Sequence, residues 1–373
     1  MSKVPNGFEV IQAFESFSPK HLAMEGDKIG LQIGTLNKTI RNVMVTLDVL
    51  EEVVDEAIER KVDLIIAHHP PIFRPMKNIV TDQPSGRIVE KCIKHDIAVY
   101  AAHTNLDIAE GGVNDLLAEA LQLTKTKVLV PTGSVTLKKL VVFVPKSHAN
   151  EVRQAMSRAG AGHIGKYSDC TFNSEGTGTF LPLEGTNPYI GEQGKVEQVE
   201  EVRIETIIPV DIQQKVIQAM QQAHPYEEVA YDVYPLDNQG ESYGLGRIGQ
   251  LEHEMTLREF AQHVKKCLDV DGVRVVGDLD DKVRKVAVLG GDGNKYITNA
   301  KFQGADTYVT GDLYFHVAHD AMMMGLNVVD PGHHVEKVMR QGVVRVLENI
   351  FKEKNFDCTI FASEVDTNPF TFM

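Results

Sequence analysis

Apolar residues along this chain recur with two periods, and the order in which those periods alternate predicts the architecture. Residues 43–47, apolar but for Thr46, and 64–67 are short strand-like runs, and between them Leu50, Val53, Val54, Ala57 and Ile58 fall at the helical spacing. A helix at 87–94 and a third apolar run at 98–102 complete a β-α-β-α-β order, which implies a parallel sheet with helices on its faces. Ahead of it, residues 8–17 read as a short helix and 25–32 as a glycine-punctuated loop with some strand character. Behind it, Asn114 is placed to cap a helix over 115–121.

The pattern changes near residue 137. A strand at 137–144, a helix at 149–158 and a Gly/Thr-rich run at 170–180 are followed by a strand at 202–208, a helix at 212–223 and a strand at 229–234. The two helices share the cores Asn150-Glu151-Val152-Arg153-Gln154-Ala155-Met156 and Gln214-Lys215-Val216-Ile217-Gln218-Ala219-Met220. They read as a weak repeat of β-α-β units, the pattern of a ferredoxin-like α+β domain, or as a chance likeness between two amphipathic helices. From residue 243 the first pattern returns, with helices at 257–267, 296–302, 314–324 and 335–348 and strands at 283–289, 307–310, 326–329 and 359–362. The fold class expected is therefore α/β: a discontinuous domain built from two β-α-β halves, residues 1–135 and 239–373, interrupted by an inserted α+β domain over 136–238.

Composition narrows the class. Hydrophobic residues make up 43% and charged residues 24%, enough for a sizeable core. The formal net charge of −14 argues against non-specific binding to nucleic acid or an anionic membrane, which requires clustered Lys and Arg. The four cysteines, Cys92, Cys170, Cys267 and Cys358, are far apart and suit neither a disulfide framework nor a Cys-rich zinc site, so buried thiols are expected. No segment has the order of a signal peptide, and no apolar run reaches the roughly 20 residues that span a bilayer, which points to the cytoplasm.

Position singles out a few of the fourteen histidines. His68 and His69 end one buried strand, His103 and Asp107 follow the next, and His333 and Glu336 lie where a third passes into a helix. In open α/β sheets ligands sit beyond the carboxyl ends of strands. Imidazole with carboxylate suits zinc, iron or manganese, and the lack of thiolates argues against a purely structural zinc centre. Neighbouring side chains on an extended segment diverge, so His68 and His69, curling into Pro70-Pro71, would address two adjacent ions, with Asp107 or Glu336 as a bridging carboxylate. Two such ions polarise a substrate and activate water near neutral pH. Satisfied loop histidines are the alternative.

Other candidates are weaker. Gly290-Gly291-Asp292-Gly293-Asn294, between a strand and a helix, could cradle a phosphate at the helix N-terminus, but it lacks the Walker Lys-Ser/Thr and does not match G-x-G-x-x-G, so a tight turn is the better reading. His316 and His319 share a helix face and are either substrate contacts or an exposed pair. Arg74 and Lys77 are the basic residues nearest His68-His69 in sequence and would attract an anionic substrate, or are simply solvated. Met322-Met323-Met324 is expected in the core. His224-Pro225-Tyr226-Glu227-Glu228, in the insert, is equally a plain turn or a second ligand site.

Taken together, Ala67-His68-His69-Pro70, His103-Thr104-Asn105-Leu106-Asp107, Gly244-Leu245-Gly246-Arg247-Ile248-Gly249, Thr310-Gly311-Asp312 and Gly332-His333-His334-Val335-Glu336 resemble the NIF-three-like dinuclear-metal proteins, also known as type 2 homologues of GTP cyclohydrolase I. The resemblance covers the first and third parts, and the middle part is similar to the PII/CutA-like insert of the longer bacterial members. It implies two divalent ions per subunit, zinc first with iron or manganese as alternatives, held by His68, His69, Asp107, His333 and Glu336. Some members place the Glu four residues after the His, whereas Glu336 follows His333 by three, which leaves His334 as a substitute ligand. The resemblance further implies a homohexameric toroid and a small-molecule substrate. Its chemistry would be that of a hydrolase opening the guanine imidazole ring of GTP, or acting on another nucleotide, with His103 or His316 shuttling protons. The alternative class is non-enzymatic: a metal-containing ring whose insert senses a ligand or binds a regulatory partner.

Overall fold

The computed structural model describes residues 2–373. The chain forms two compact units: residues 2–132 together with Tyr243–Met373, and Gly133–Ser242. In chain order the elements are α1 (Gly7–Phe17), β1 (Gly30–Ile33), β2 (Asn42–Thr46), α2 (Glu51–Glu59), β3 (Leu64–Ala67), α3 (Pro84–Lys94), β4 (Ala98–Ala101), α4 (Thr104–Ile108) and α5 (Val113–Ala120). The strand β5 (Thr124–Pro145) leads into α6 (Ala149–Arg158), β6 (Thr171–Phe180), β7 (Glu197–Pro209) and α7 (Gln213–Ala223), and β8 (Tyr231–Thr256) leads back. Then come α8 (Leu257–Leu268), β9 (Arg274–Val276), β10 (Lys282–Asp292), α9 (Ile297–Phe302), β11 (Thr307–Gly311), α10 (Phe315–Met323), β12 (Asn327–Asp330), α11 (Val338–Glu353) and β13 (Thr359–Ala362).

The larger unit is mixed α/β with two mixed sheets. The first has the order β1-β4-β3-β2-β13. Strands β13, β2, β3 and β4 run parallel, and only β1 is antiparallel. Every residue of β3 and β4 is buried. Leu64 and Ile66 pack into the core on one face, Ile65 and Ala67 into that on the other. That double burial is why these strands read as unbroken apolar runs rather than as alternation. In the second sheet β10, β11 and β12 are parallel, flanked by β8 and β9 in antiparallel pairing. The parallel strands of both sheets deliver their carboxyl ends to short polar segments, and these carry the candidate site.

The smaller unit has the element order β-α-β-β-α-β and the sheet order β6-β7-β5-β8. Strand β7 pairs antiparallel with both β5 and β6. Val202, Ile204 and Ile208 pack against Val152, Met156, Val216 and Met220 of the two helices, so one face of the sheet is covered and the alternate residues face the other side.

Three local expectations change. Asn114 does not cap α5, whose N-cap is Gly112. It sits within the helix, almost wholly buried, where its amide donates to Asp107 O (3.0 Å) and accepts from Gly290 N (3.0 Å). Met322 and Met323 are 55% and 75% exposed, because α10 turns only Ala321 fully inward. Cys92 alone of the four thiols is buried, the others being partly exposed. Among the described residues no helix is long and apolar enough to cross a membrane.

Candidate metal centre

The segments after three of the parallel strands each contribute one part of a single cluster. His68 and His69 leave β3, His103 and Asp107 follow β4, and His333 and Glu336 lie in a 3-10 turn, His333–Lys337, just past β12. Three groupings bring ligand atoms within 4.8 Å of one another: His68, His69 and His103; His69, His333 and Glu336; His68, Asp107 and Glu336. Glu336 is the hub. Its Oε2 lies 3.1 Å from His69 Nε2, 3.2 Å from His333 Nε2 and 3.7 Å from His68 Nε2.

The four imidazoles are oriented the same way. His68 Nδ1 donates to Ala102 O at 2.9 Å, His69 Nδ1 pairs with Asp48 at 2.7 Å, His103 Nδ1 with Asp27 at 2.8 Å, and His333 Nδ1 with Asp312 at 2.7 Å. Each ring therefore has its Nδ1 occupied and its Nε2 directed to the centre. Metal-ligating histidines are held in this way, with the far nitrogen fixed by a carboxylate or carbonyl. Asp27 also accepts from Thr104 N, and Asp48 from Thr367 Oγ1, so the orienting carboxylates are themselves pinned.

His68 supplies the sharpest test of fit. A carbonyl can only accept, so Nδ1 carries the proton, and in the neutral ring Nε2 is a bare lone pair. That lone pair faces Asp107 Oδ1, another acceptor, at 3.6 Å. Both atoms are buried and neither has a hydrogen-bond partner among the described residues. Buried polar atoms left unpaired cost free energy unless something unseen satisfies them. A cation between two acceptors does so, and the N/O donor set suits a divalent transition metal.

Electrostatics agree. Burial would raise the Glu336 carboxyl, but the imidazoles around it hold it well below the usual carboxylate range. Burial pushes the Asp107 carboxyl up. Burial pulls His69 and His333 down, yet the carboxylate partners outweigh it and lift them to about 10 and about 9. The Gly290-Gly291 turn is the back wall: Gly291 has φ +63°, and a Cβ there would lie 2.8 Å from Glu336 Oε1 and 3.2 Å from His333 Nε2.

All five candidate residues named from the sequence, with His103, thus come together. His334 points elsewhere, its Nε2 lying 3.3 Å from Asp366 Oδ1. His316 is exposed on α10, stacked edge-on against Phe315, and belongs to none of the groupings. Arg74 and Lys77 are exposed in the segment after His69 and pair with no member of the cluster. The orienting residues Asp27, Asp48 and Asp312 were not assigned roles from sequence, and Asn114, behind Asp107, was read only as a helix cap. Asp48 and Asp312 each follow a parallel strand, as the ligands do, and that position was the available signal.

A profile of the Duf34/NIF3 (NGG1p interacting factor 3) family matches residues 5–369. The chain is 66% identical over 373 residues to a Bacillus subtilis protein named GTP cyclohydrolase 1 type 2 homolog, covering all of both. It is 62% identical over 371 residues to a protein of the same name from Halalkalibacterium halodurans, again covering all of both. Among solved structures, a Bacillus cereus protein described as related to NIF3 is similar at TM-score 0.94 and 67% identity over all of both chains.

Proposed function

The chain belongs to the Duf34/NIF3 family, and on that premise we propose that it is a metal-dependent hydrolase that holds two divalent ions and acts on a nucleotide or related small molecule. The observation that carries this reading is the pair of buried, unpartnered acceptors His68 Nε2 and Asp107 Oδ1. The groupings His69–His333–Glu336 and His68–Asp107–Glu336 share Glu336, as a carboxylate bridging two ions would require. Divalent ions held there would supply Lewis acidity, polarising a substrate oxygen and acidifying water.

The protein's own residues supply the remainder. Asp27 fixes the His103 ring and raises its pKa against the opposing effect of burial, so the imidazole can hold a proton at Nε2 and release it at the cluster. Arg74 and Lys77 would meet a substrate's phosphates. GTP is the first substrate to test, because curated relatives are named for GTP cyclohydrolase chemistry. The β-α-β-β-α-β order and β6-β7-β5-β8 arrangement of the smaller unit support reading it as a ferredoxin-like, PII/CutA-type insert. We also propose a homohexameric assembly, which light scattering measures directly.

The deciding experiment loads the protein with Zn, Mn or Fe(II) and assays GTP and a nucleotide panel. Turnover that Asp107→Ala abolishes, with fold and oligomer intact, is the expected result. No turnover of any panel member sinks the hydrolase reading, while metal analysis of the same samples tests the metal reading separately.

A further inference from the structure

The smaller unit contains a cavity of about 610 Å³. Its floor is the sheet face that α6 and α7 leave uncovered, where Phe143, Glu201 and Arg203 alternate with the buried Val142, Val202 and Ile204. Its walls are Phe180, Tyr189 and Tyr226. Their rings form a continuous cluster, with Phe180 edge-on to Tyr226 at 5.7 Å and Tyr189 tilted against Tyr226 at 6.4 Å between centroids.

The turn His224-Pro225-Tyr226-Glu227-Glu228 shapes this cavity, and His224 acts there as a strut. Its Nε2 donates to Phe143 O (2.9 Å) and its Nδ1 accepts from Tyr226 N (3.1 Å), which uses both ring nitrogens and fixes the Tyr226 backbone. Tyr226 then donates its hydroxyl to Glu201 Oε1 at 3.2 Å. The other carboxylate oxygen lies against the Gly178 backbone, where a Cβ would come within 2.1 Å of it, so only glycine leaves room for Glu201 in this pose.

Charge selects the occupant. Four carboxylates, Glu175, Glu201, Glu227 and Glu228, line the cavity against a single cation, Arg203, which is itself paired with Glu205. Glu175 is met by Lys146 at the exposed rim, but no Lys or Arg pairs with Glu201. Burial raises the Glu201 carboxyl, the mark of an acid short of positive charge. Aromatic faces with an under-compensated carboxylate attract a cation carried on a flat apolar body, and the volume is that of a small-molecule site.

We propose that this cavity is a binding site for a small organic cation with a flat apolar body, such as an aryl amidinium or a protonated aromatic amine. The site lies wholly within Gly133–Ser242 and does not rest on the metal reading. Benzamidine and its isosteric anion benzoate probe it on the full-length protein, by saturation-transfer NMR and titration. Benzamidine should bind and benzoate should not. Glu201→Gln should weaken benzamidine roughly tenfold, the loss expected when a charge-assisted hydrogen bond becomes a neutral one, and Tyr226→Leu should weaken it at least as much. Absence of benzamidine binding, as when a second copy of the chain covers the face, overturns the proposal. So does equal binding of the two probes, or affinity indifferent to Glu201→Gln. If a variant fails to fold, the wild-type comparison of the two probes decides alone.

Discussion

His68 Nε2 and Asp107 Oδ1 face each other at 3.6 Å, acceptor to acceptor, buried and without other partners. The arrangement is unfavourable unless a cation lies between them, so a divalent metal should stabilise the fold. Zinc at a hundred times its Kd should add about 2.7 kcal/mol to unfolding free energy. In Asp107→Ala that metal-dependent gain should fall, leaving only what the His69–His333–Glu336 grouping supplies, while the metal-free protein remains folded. Denaturation with and without zinc checks this, and an undiminished gain in the variant would place the metal elsewhere.

Protons and metal compete for the same nitrogens. Burial lowers His69 and His333, but their carboxylate partners push them up to about 10 and about 9, against an ordinary value of 6.5. Both pKa values are raised by folding, so their contribution to stability is fully present below about 6.5 and is lost as pH rises through 9 to 10. Zinc binding at pH 7.5 should therefore release about two protons, one from each of these histidines. Calorimetry in buffers of different ionisation enthalpy measures that number, and zero release would contradict the assigned partners.

Asp48 holds the His69 ring from behind. Asp48→Ala should raise the zinc Kd roughly 10- to 100-fold, the range seen when such an orienting partner is removed, and leave the secondary structure unchanged. Equilibrium dialysis reads the affinity, and an unchanged Kd would mean that the ring is held in place by packing alone.

Gly291 closes the site at φ +63° beside Glu336. Gly291→Ala should destabilise the protein by about 1–2 kcal/mol through backbone strain alone, and should also lower bound metal, because the new methyl presses on Glu336 Oε1. A stable variant with full metal content would refute the close approach.

Strand positions and cluster membership were legible in the sequence for a common reason. Buried parallel strands such as Leu64–Ala67 are apolar on both faces, so the first polar residues after them, His68-His69 and His103, stand out against the run. Within the insert, the helix Ala149–Arg158 was equally plain from its apolar spacing. Less visible were residues whose role depends on a distant partner. Asn114 looked like a cap because capping is local chemistry, whereas its partners are Asp107 and Gly290, the latter 176 positions away. Asp48 and Asp312 carry no local pattern that marks them, because their partners His69 and His333 lie 21 positions away in the chain. Strand β9, three residues long, carried too short a pattern to register, and Met322-Met323 showed apolarity without showing which way the helix faces.

The most direct test of the central claim is the number of ions each chain retains after zinc loading and exhaustive dialysis, measured by plasma mass spectrometry in the wild type and in Glu336→Ala. A shared Glu336 requires two ions in the wild type and fewer than one in the variant. No retained ion in the wild type, or two in the variant, would contradict a two-ion centre at this cluster.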